Sequence, residues 1–280
     1  MMIKIFRTWC SASLIFLFLA PSVEAAQGQW GGFLYLFLKP GIPFSADDIS
    51  SLSSQLESLG RGFENDFHPG KGKTETIQYY RTNRYTLRDK AMEAAPQGLI
   101  KVESLDREKV EQFIEHAHGL LEDRFFMEVR YGVTRQLNYT DAKTLERLKE
   151  NAPTRGNGRD QPNAVVFPLS KSAKWWGMTQ EKRTAYFFKK PDRSGESHLG
   201  HNEIGFLYIQ KIFRKLYHSR FVNAGQDFVT YFEYADADSE AFNKLLNGLR
   251  NETRNPEWKF VNEEPIFWGK RLPDPTGMFP

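Results

Sequence analysis

The sequence predicts an α+β protein. Two ferredoxin-like units, as in a dimeric α+β barrel, are expected to close into one antiparallel β-barrel with helices outside. Two observations carry this. The first half of the chain reads strand, helix, strand, strand, helix, strand, which is the ferredoxin-like order. The second half repeats that order with one extra helix, as a repeat of pattern without sequence identity. Two such sheets can close against each other with their helices on the outer face. The units are expected at 26–155 and 156–280, behind a leader at 1–25.

The leader is read first. Lys4 and Arg7 precede an apolar stretch ending Leu14-Ile15-Phe16-Leu17-Phe18-Leu19-Ala20, Pro21 breaks it, and Val23-Glu24-Ala25 offers small residues for cleavage. The stretch is short for a membrane helix; an uncleaved anchor is the other reading. The expected mature protein starts near Ala26 and is periplasmic. Cys10 is the only cysteine, so a mature chain has none, which excludes disulfides, zinc thiolates and cysteine nucleophiles. The 38 basic and 35 acidic residues are interspersed and make no field suited to nucleic acid.

The first unit opens on a buried strand, Gly31 to Lys39, stopped by Pro40 and Gly41. Ser45 and Asp48 have capping-box spacing. Ile49, Leu52, Leu56 and Leu59 then form one helical stripe, with Gly60 read as the helix end. A turn-rich loop (63–73) leads to a strand at Thr74 to Tyr80 and another at Leu99 to Ser104. Asp106 caps a helix whose stripe is Val110, Phe113, Ile114, Ala117 and Leu121. His116 and His118 lie two apart on it, point to different faces and make a poor metal pair. A strand from Phe125 to Leu137, a short helix at 141–151 and a linker at 154–162 complete the unit.

The second unit starts with a strand at Ala164 to Leu169. Ser172 caps a helix holding Trp175, Trp176 and Met178, and 188–200 is a charged excursion. A helix bearing His201 follows, with Ile204, Tyr208 and Ile212 giving it an apolar face. A lone histidine on such a face is a satisfied core residue or a ligand. In the next strand Arg214, Leu216 and His218 share one face, and in the strand from Asp227 to Tyr234 so do Thr230 and Phe232. An arginine among Leu and Phe needs an anion, so Arg214 is either half of a structural ion pair or a pocket residue. Ser239 caps a helix with Phe242, Leu245, Leu246 and Leu249, and 260–267 closes as a strand. His198 and His201 are three apart and could form a mononuclear metal pair, weakened by Gly200 between them. No G-x-G-x-x-G, P-loop, G-x-S-x-G or H-E-x-x-H occurs.

The run HNEIGFLYIQKIFRKLYHS (201–219) followed by DFVTYFE (227–233) resembles the haem-binding core of the chlorite dismutase family. YGVTRQLNY (131–139), KSAKWWGMT (171–179) and AFNKLL (241–246) are similar to family segments in the same order. The resemblance covers most of the chain beyond the leader and keeps the thirteen-residue spacing from His201 to Arg214 without a gap. It implies haem b inside the C-terminal barrel, with His201 as axial iron ligand and Arg214 as distal catalytic residue. Leu216, Thr230 and Phe232 would line the distal pocket. Asn138, Tyr139, Lys171 and Trp175 match positions near the haem propionates, and Trp176 a second tryptophan beside the haem. Glu257 is the best match for the carboxylate that bonds the axial histidine, with Glu252 or Glu263 as substitutes.

The activity so implied is that of an oxidoreductase converting chlorite to chloride and dioxygen, with Arg214 confining the anionic fragment, in a homo-oligomer that the resemblance makes a five-subunit ring. Two rivals remain: a related haem enzyme acting as a peroxidase or decarboxylating coproporphyrin haem, and a non-catalytic haem-binding or sensing protein. The sequence departs from the family at 189–199, at 220–226, and by about three residues before Glu257.

Overall fold

The computed structural model describes residues 28–64, 74–135, 161–190 and 198–280, with positions 143, 146 and 150. The expected leader, the rest of the expected short helix at 141–151, the linker up to residue 160, and Asn138 and Tyr139 lie outside the described residues.

In the first unit β1 (Trp30–Leu38), α1 (Ala46–Glu64), β2 (Thr76–Leu87), the two-residue β3 (Lys90–Ala91), β4 (Gly98–Ser104), α2 (Arg107–Leu121) and β5 (Phe125–Val133) follow in order. The second unit holds β6 (Asn163–Lys171), the short helices α3 (Ala173–Trp176) and α4 (Gln180–Thr184), α5 (Gly200–Phe206), β7 (Ile212–His218), β8 (Phe228–Tyr234), α6 (Ser239–Arg250), β9 (Val261–Glu263) and β10 (Ile266–Leu272). The strands run β10-β2-β4-β1-β5-β7-β8-β6, and β6 pairs back with β10. Every pairing is antiparallel, so the sheet closes into an eight-stranded barrel. Each half has the same internal order, second-third-first-fourth strand, which is the ferredoxin-like sheet used twice.

The two seams between halves differ. β10 and β2 pair along seven positions, from Ile266↔Thr86 to Leu272↔Tyr79. β5 meets β7 only at Val133↔His218.

Alternation along the strands sorts side chains between two layers. Leu34 and Leu36 of β1 pack under α1 and α2. Val165, Phe167, Phe232 and Tyr234 pack under α6. Phe33, Tyr35, Val166, Tyr217, Val229 and Tyr231 point the other way and fill the barrel interior with aromatic rings. Both faces are covered at β1 and β6, which is why these two strands read as nearly continuous apolar runs.

The capping box at α1 forms as spaced: Asp48 N–H donates to Ser45 Oγ at 3.1 Å and Ser45 N–H donates to Asp48 Oδ2 at 2.9 Å. Asp106 accepts from Glu108 N–H at 2.9 Å, and Ser172 Oγ from Trp175 N–H at 3.4 Å.

Several expectations are corrected. Gly60 does not end α1, which continues to Glu64. A Cβ there would stand 2.8 Å from the Tyr79 hydroxyl, so the glycine serves close helix–sheet packing. Helix α3 stops at Trp176 and excludes Met178. Ser239 is the first residue of α6, whose cap position is Asp238, and its hydroxyl donates to Asp236 O instead. The expected closing strand at 260–267 is two strands, β9 and β10, broken at Glu264–Pro265, where proline removes a ladder donor.

Candidate functional site

The largest change from the sequence reading is the location of the cavity. It does not lie inside the barrel, whose interior is packed with rings. It lies on the outer face of the second unit's sheet, roofed by α5, α6 and the 3₁₀ turn Pro256–Phe260. The space between sheet and roof is about 770 Å³ with the open mouth included. The sheet contributes Phe167, Leu169, Lys171, Arg214, Leu216, His218, Phe228, Thr230 and Phe232. The roof contributes His201, Leu249, Glu257 and Trp258, β9 adds Val261, and the segment 175–187 adds Trp175 and Phe187.

His201 reaches this roof because Gly200 adopts φ +76°, and a Cβ there would stand 2.9 Å from the Phe187 backbone. Leu199 and Gly200 N–H both donate to Arg254 O at 3.1 Å, and Asn202 N–H donates to Phe187 O at 3.1 Å. Only glycine permits that left-handed start under another backbone. The residue read from sequence as a weakness of the helix is what seats it.

His201 Nδ1 and Glu257 Oε2 are 2.8 Å apart. The carboxylate at the histidine is thus Glu257. Glu263 is engaged by Arg250 and by Trp258 Nε1, and Glu252 is exposed. Burial lowers the His201 pKa below the ordinary histidine range. Glu257 opposes this without overcoming it, and Arg214 and Lys171 add to the lowering. The imidazole is therefore neutral at neutral pH. Its Nδ1–H donates to the carboxylate, and Nε2 is left as the nitrogen with a lone pair. For Glu257, burial favours the acid form, but the fields of Lys171 and His201 and their hydrogen bonds outweigh it and hold the carboxyl far below the usual range.

Lys171 is a second correction. Its ammonium donates to Glu257 Oε1 and lies 4.7 Å from the centre of the Trp175 ring. It is committed to the carboxylate behind His201 and is not a free cation for a ligand's acidic edge. Trp175 lines the cavity, fully buried. Trp176 does not; it stacks on Phe228 at 6.2 Å, donates through Nε1 to Asp227 Oδ2 at 3.0 Å, and carries the Arg220 guanidinium 3.6 Å above its ring.

Arg214 lines the cavity and is accessible to water within it, while the protein mass around it lowers its pKa, opposed by Glu257. It stays a cation at any biological pH. No carboxylate stands within ion-pair distance of it among the described residues, so it is not half of a structural pair. Leu216, Thr230 and Phe232 sit beside it. In the register Arg214 faces Phe232 and Leu216 faces Thr230 across the β7–β8 ladder. Among the described residues no three His, Cys, Asp or Glu side chains gather as a metal cage, which leaves His198 and His201 without further ligands for a bare-metal site.

Two residues to which sequence reasoning gave no pocket role take part in the site. His218 lines the same cavity; its shared face with Arg214 was the available signal. Asp227 accepts from Lys171 N–H at 2.6 Å as well as from Trp176, and nothing local announces a bond spanning 56 residues.

Fold and cavity together define a class: a double ferredoxin-like barrel with an apolar pocket under its second sheet, holding a carboxylate-tethered neutral imidazole and a guanidinium with no counter-ion among the described residues. The proteins this chain is similar to include chlorite dismutases. The chain is 30% identical over 139 residues to the chlorite dismutase of Ideonella dechloratans, a match covering 49% of this chain and 41% of that protein. It therefore spans under half the length of that curated relative. A mutant chlorite dismutase from Candidatus Nitrospira defluvii superposes with a TM-score of 0.65 at 20% identity, covering 90% of this chain and 94% of that one. The protein from the same organism in complex with imidazole gives 0.64 at 21% identity over 89% and 92%. No family model matches the chain. The fold is that of the chlorite dismutases, and the sequence match supports that family for this chain.

Proposed function

We propose that this protein binds haem b in the cavity under its second sheet and converts chlorite to chloride and dioxygen. One observation carries the reading: a neutral histidine tethered by a buried carboxylate shares an apolar cavity with an arginine that has no acidic partner among the described residues. The donor set fits the group. A tetrapyrrole is a broad apolar plate, and Phe167, Leu169, Leu216, Phe228, Phe232 and Val261 offer it apolar walls. His201 Nε2 would hold its iron, and Glu257 would fix the tautomer and strengthen the imidazole as a donor.

Haem, when bound, supplies the redox-active iron at which chlorite is cleaved. The chain's own residues do the rest. Arg214 attracts the anion, orients it through a planar fork of donors and keeps the hypochlorite fragment from leaving. Leu216 and Phe232 keep bulk water from the reacting atoms. Lys171 holds Glu257 ionised, so that its carboxylate goes on accepting the His201 proton.

Chlorite added to haem-loaded protein in an oxygen electrode tests the activity; peroxidase turnover without oxygen release would favour the rival reading. His201→Ala tests the site. It is expected to lose haem, or hold it roughly 10–100-fold more weakly, while circular dichroism stays that of the parent. A variant retaining the parent's absorption spectrum and haem content would remove His201 as the ligand.

The proposal extends to export. The basic, apolar and small-residue pattern of positions 1–25 supports cleavage near Ala26 and a periplasmic enzyme. N-terminal sequencing of the secreted form should begin there, and an intact Met1 in the membrane fraction would contradict it. A homo-oligomeric assembly belongs to the same reading.

A further inference from the structure

The reading above leaves one titratable side chain of the cavity without a task. His218 lies on β7 four residues beyond Arg214 and on the same face, roughly 13 Å away along the strand. Its backbone is held from both sides, by Phe228 of β8 and by Val133 of β5. The Val133 pairing is the single point where β5 meets β7, so the imidazole is mounted on the seam of the barrel. The ring stands edge-on to Phe228 at 5.2 Å and lines the cavity.

The charges around it are already disposed of. Asp227, in the turn leading to β8, is bonded to Lys171 N–H and Trp176 and lies 3.6 Å from Arg220. Lys171 and Glu257 are paired with each other. His201 is tethered to Glu257. That leaves Arg214 on the same wall and Arg135 just beyond β5, both cations. Burial, with Arg135 adding to it, pushes the His218 pKa down to about 4. Near neutrality the imidazole is thus an uncharged polar group on a wall otherwise apolar between it and Arg214. In acid it becomes a cation beside cations, and such a site has one natural counter-ligand: a small anion.

We propose that His218 is a second anion-binding group of this cavity, at the opposite end of the β7 wall from Arg214, and that its protonation recruits a small anion there. The inference rests on the reading that the cavity admits small anions. Its chemistry is that of a compact monovalent anion such as chlorite, chloride or thiocyanate, held by N–H donors among apolar walls. By linkage, an anion that prefers the protonated imidazole must raise its pKa. Anion affinity then rises as pH falls through the His218 titration, on top of the constant contribution of Arg214.

The test needs no haem. The His218 imidazole is titrated by ¹H–¹⁵N NMR in the purified chain, with thiocyanate replacing sulfate at constant ionic strength. Its pKa should rise by about one unit, equivalent to about tenfold tighter binding to the cationic ring, while the exposed His116 and His118 report the bulk response to salt. Arg214→Gln should weaken thiocyanate binding at every pH and leave the His218 rise in place. If that variant changes nothing and the rise persists, the role given to Arg214 fails and this inference stands. A His218 pKa that moves no more than those of His116 and His118 overturns it and leaves Arg214 untouched. His218→Gln identifies the resonance; should it not fold, selective histidine labelling of the parent carries the measurement.

Discussion

Arg214→Ala is expected to lower chlorite-dependent oxygen release on the order of 10²-fold while the fold and the haem content survive. The two halves of that expectation come from different observations. The guanidinium lines the cavity, so its loss removes the donors that orient and retain the anion. It has no carboxylate partner among the described residues, so no buried charge is orphaned by its removal. A structural pair broken at one side would lose roughly 3–5 kcal/mol. Here the melting temperature should stay within roughly 2 °C of the parent. Lysine should rescue in part, because a point charge cannot reproduce the planar fork. The measurement is initial oxygen yield per haem before bleaching, with a hypochlorite trap present, beside a melting curve. Unchanged yield and unchanged trapping would remove Arg214 from the chemistry. A collapse of melting temperature would restore the ion-pair reading.

Glu257→Ala is expected to do the reverse: it should damage stability first and haem retention with it. Its carboxylate is the shared partner of Lys171 and His201, with both ionic side chains about 5% exposed or less. Alanine leaves the Lys171 ammonium buried and uncompensated, at a cost of roughly 3–5 kcal/mol. Glu257→Gln keeps an oxygen for the His201 Nδ1–H but loses the charge; it should fold better than alanine and still bind haem more weakly. The folded-state pKa of Glu257 is depressed, so its stabilisation is complete above the unfolded value of 4.5 and is lost as pH falls below it. His201 acts in the same direction: its folded pKa is lowered from 6.5, so stability falls once pH drops below that value, when the unfolded chain takes up a proton the folded one refuses. The parent should therefore lose stability and haem affinity progressively as pH falls. In Glu257→Gln the acid loss should be shallower, because one of the two protonation sites is gone. Melting curves between about pH 2 and 5 for parent and variant decide it. Identical acid slopes would mean that Glu257 is not the group being titrated.

Much of the architecture is legible because it is written in local periodicity. The stripe from Val110 to Leu121 declares one face of α2, and the capping side chains at Ser45 and Asp106 need only neighbours within three residues. The period of two places Arg214, Leu216 and His218 on one face without reference to any tertiary contact. The family-like segments named His201 and Arg214 because thirteen residues of spacing survive intact.

Local pattern is enough for the repeated strand–helix order and the faces of the strands, and the spacing of the family-like segments is enough to single out His201 and Arg214. Which side of the sheet carries the cavity depends on long-range packing, since alternation separates two faces without saying which is roofed by helices and which by the other half of the barrel. That packing also decides the employment of the charges. Glu257 meets His201 across 56 residues and Lys171 across 86, and neither distance leaves any trace in a local pattern. A buried charge is placed by the lowest total cost of desolvation and pairing over the whole fold, which is why Lys171 was read as a ligand's partner and stands instead behind the histidine.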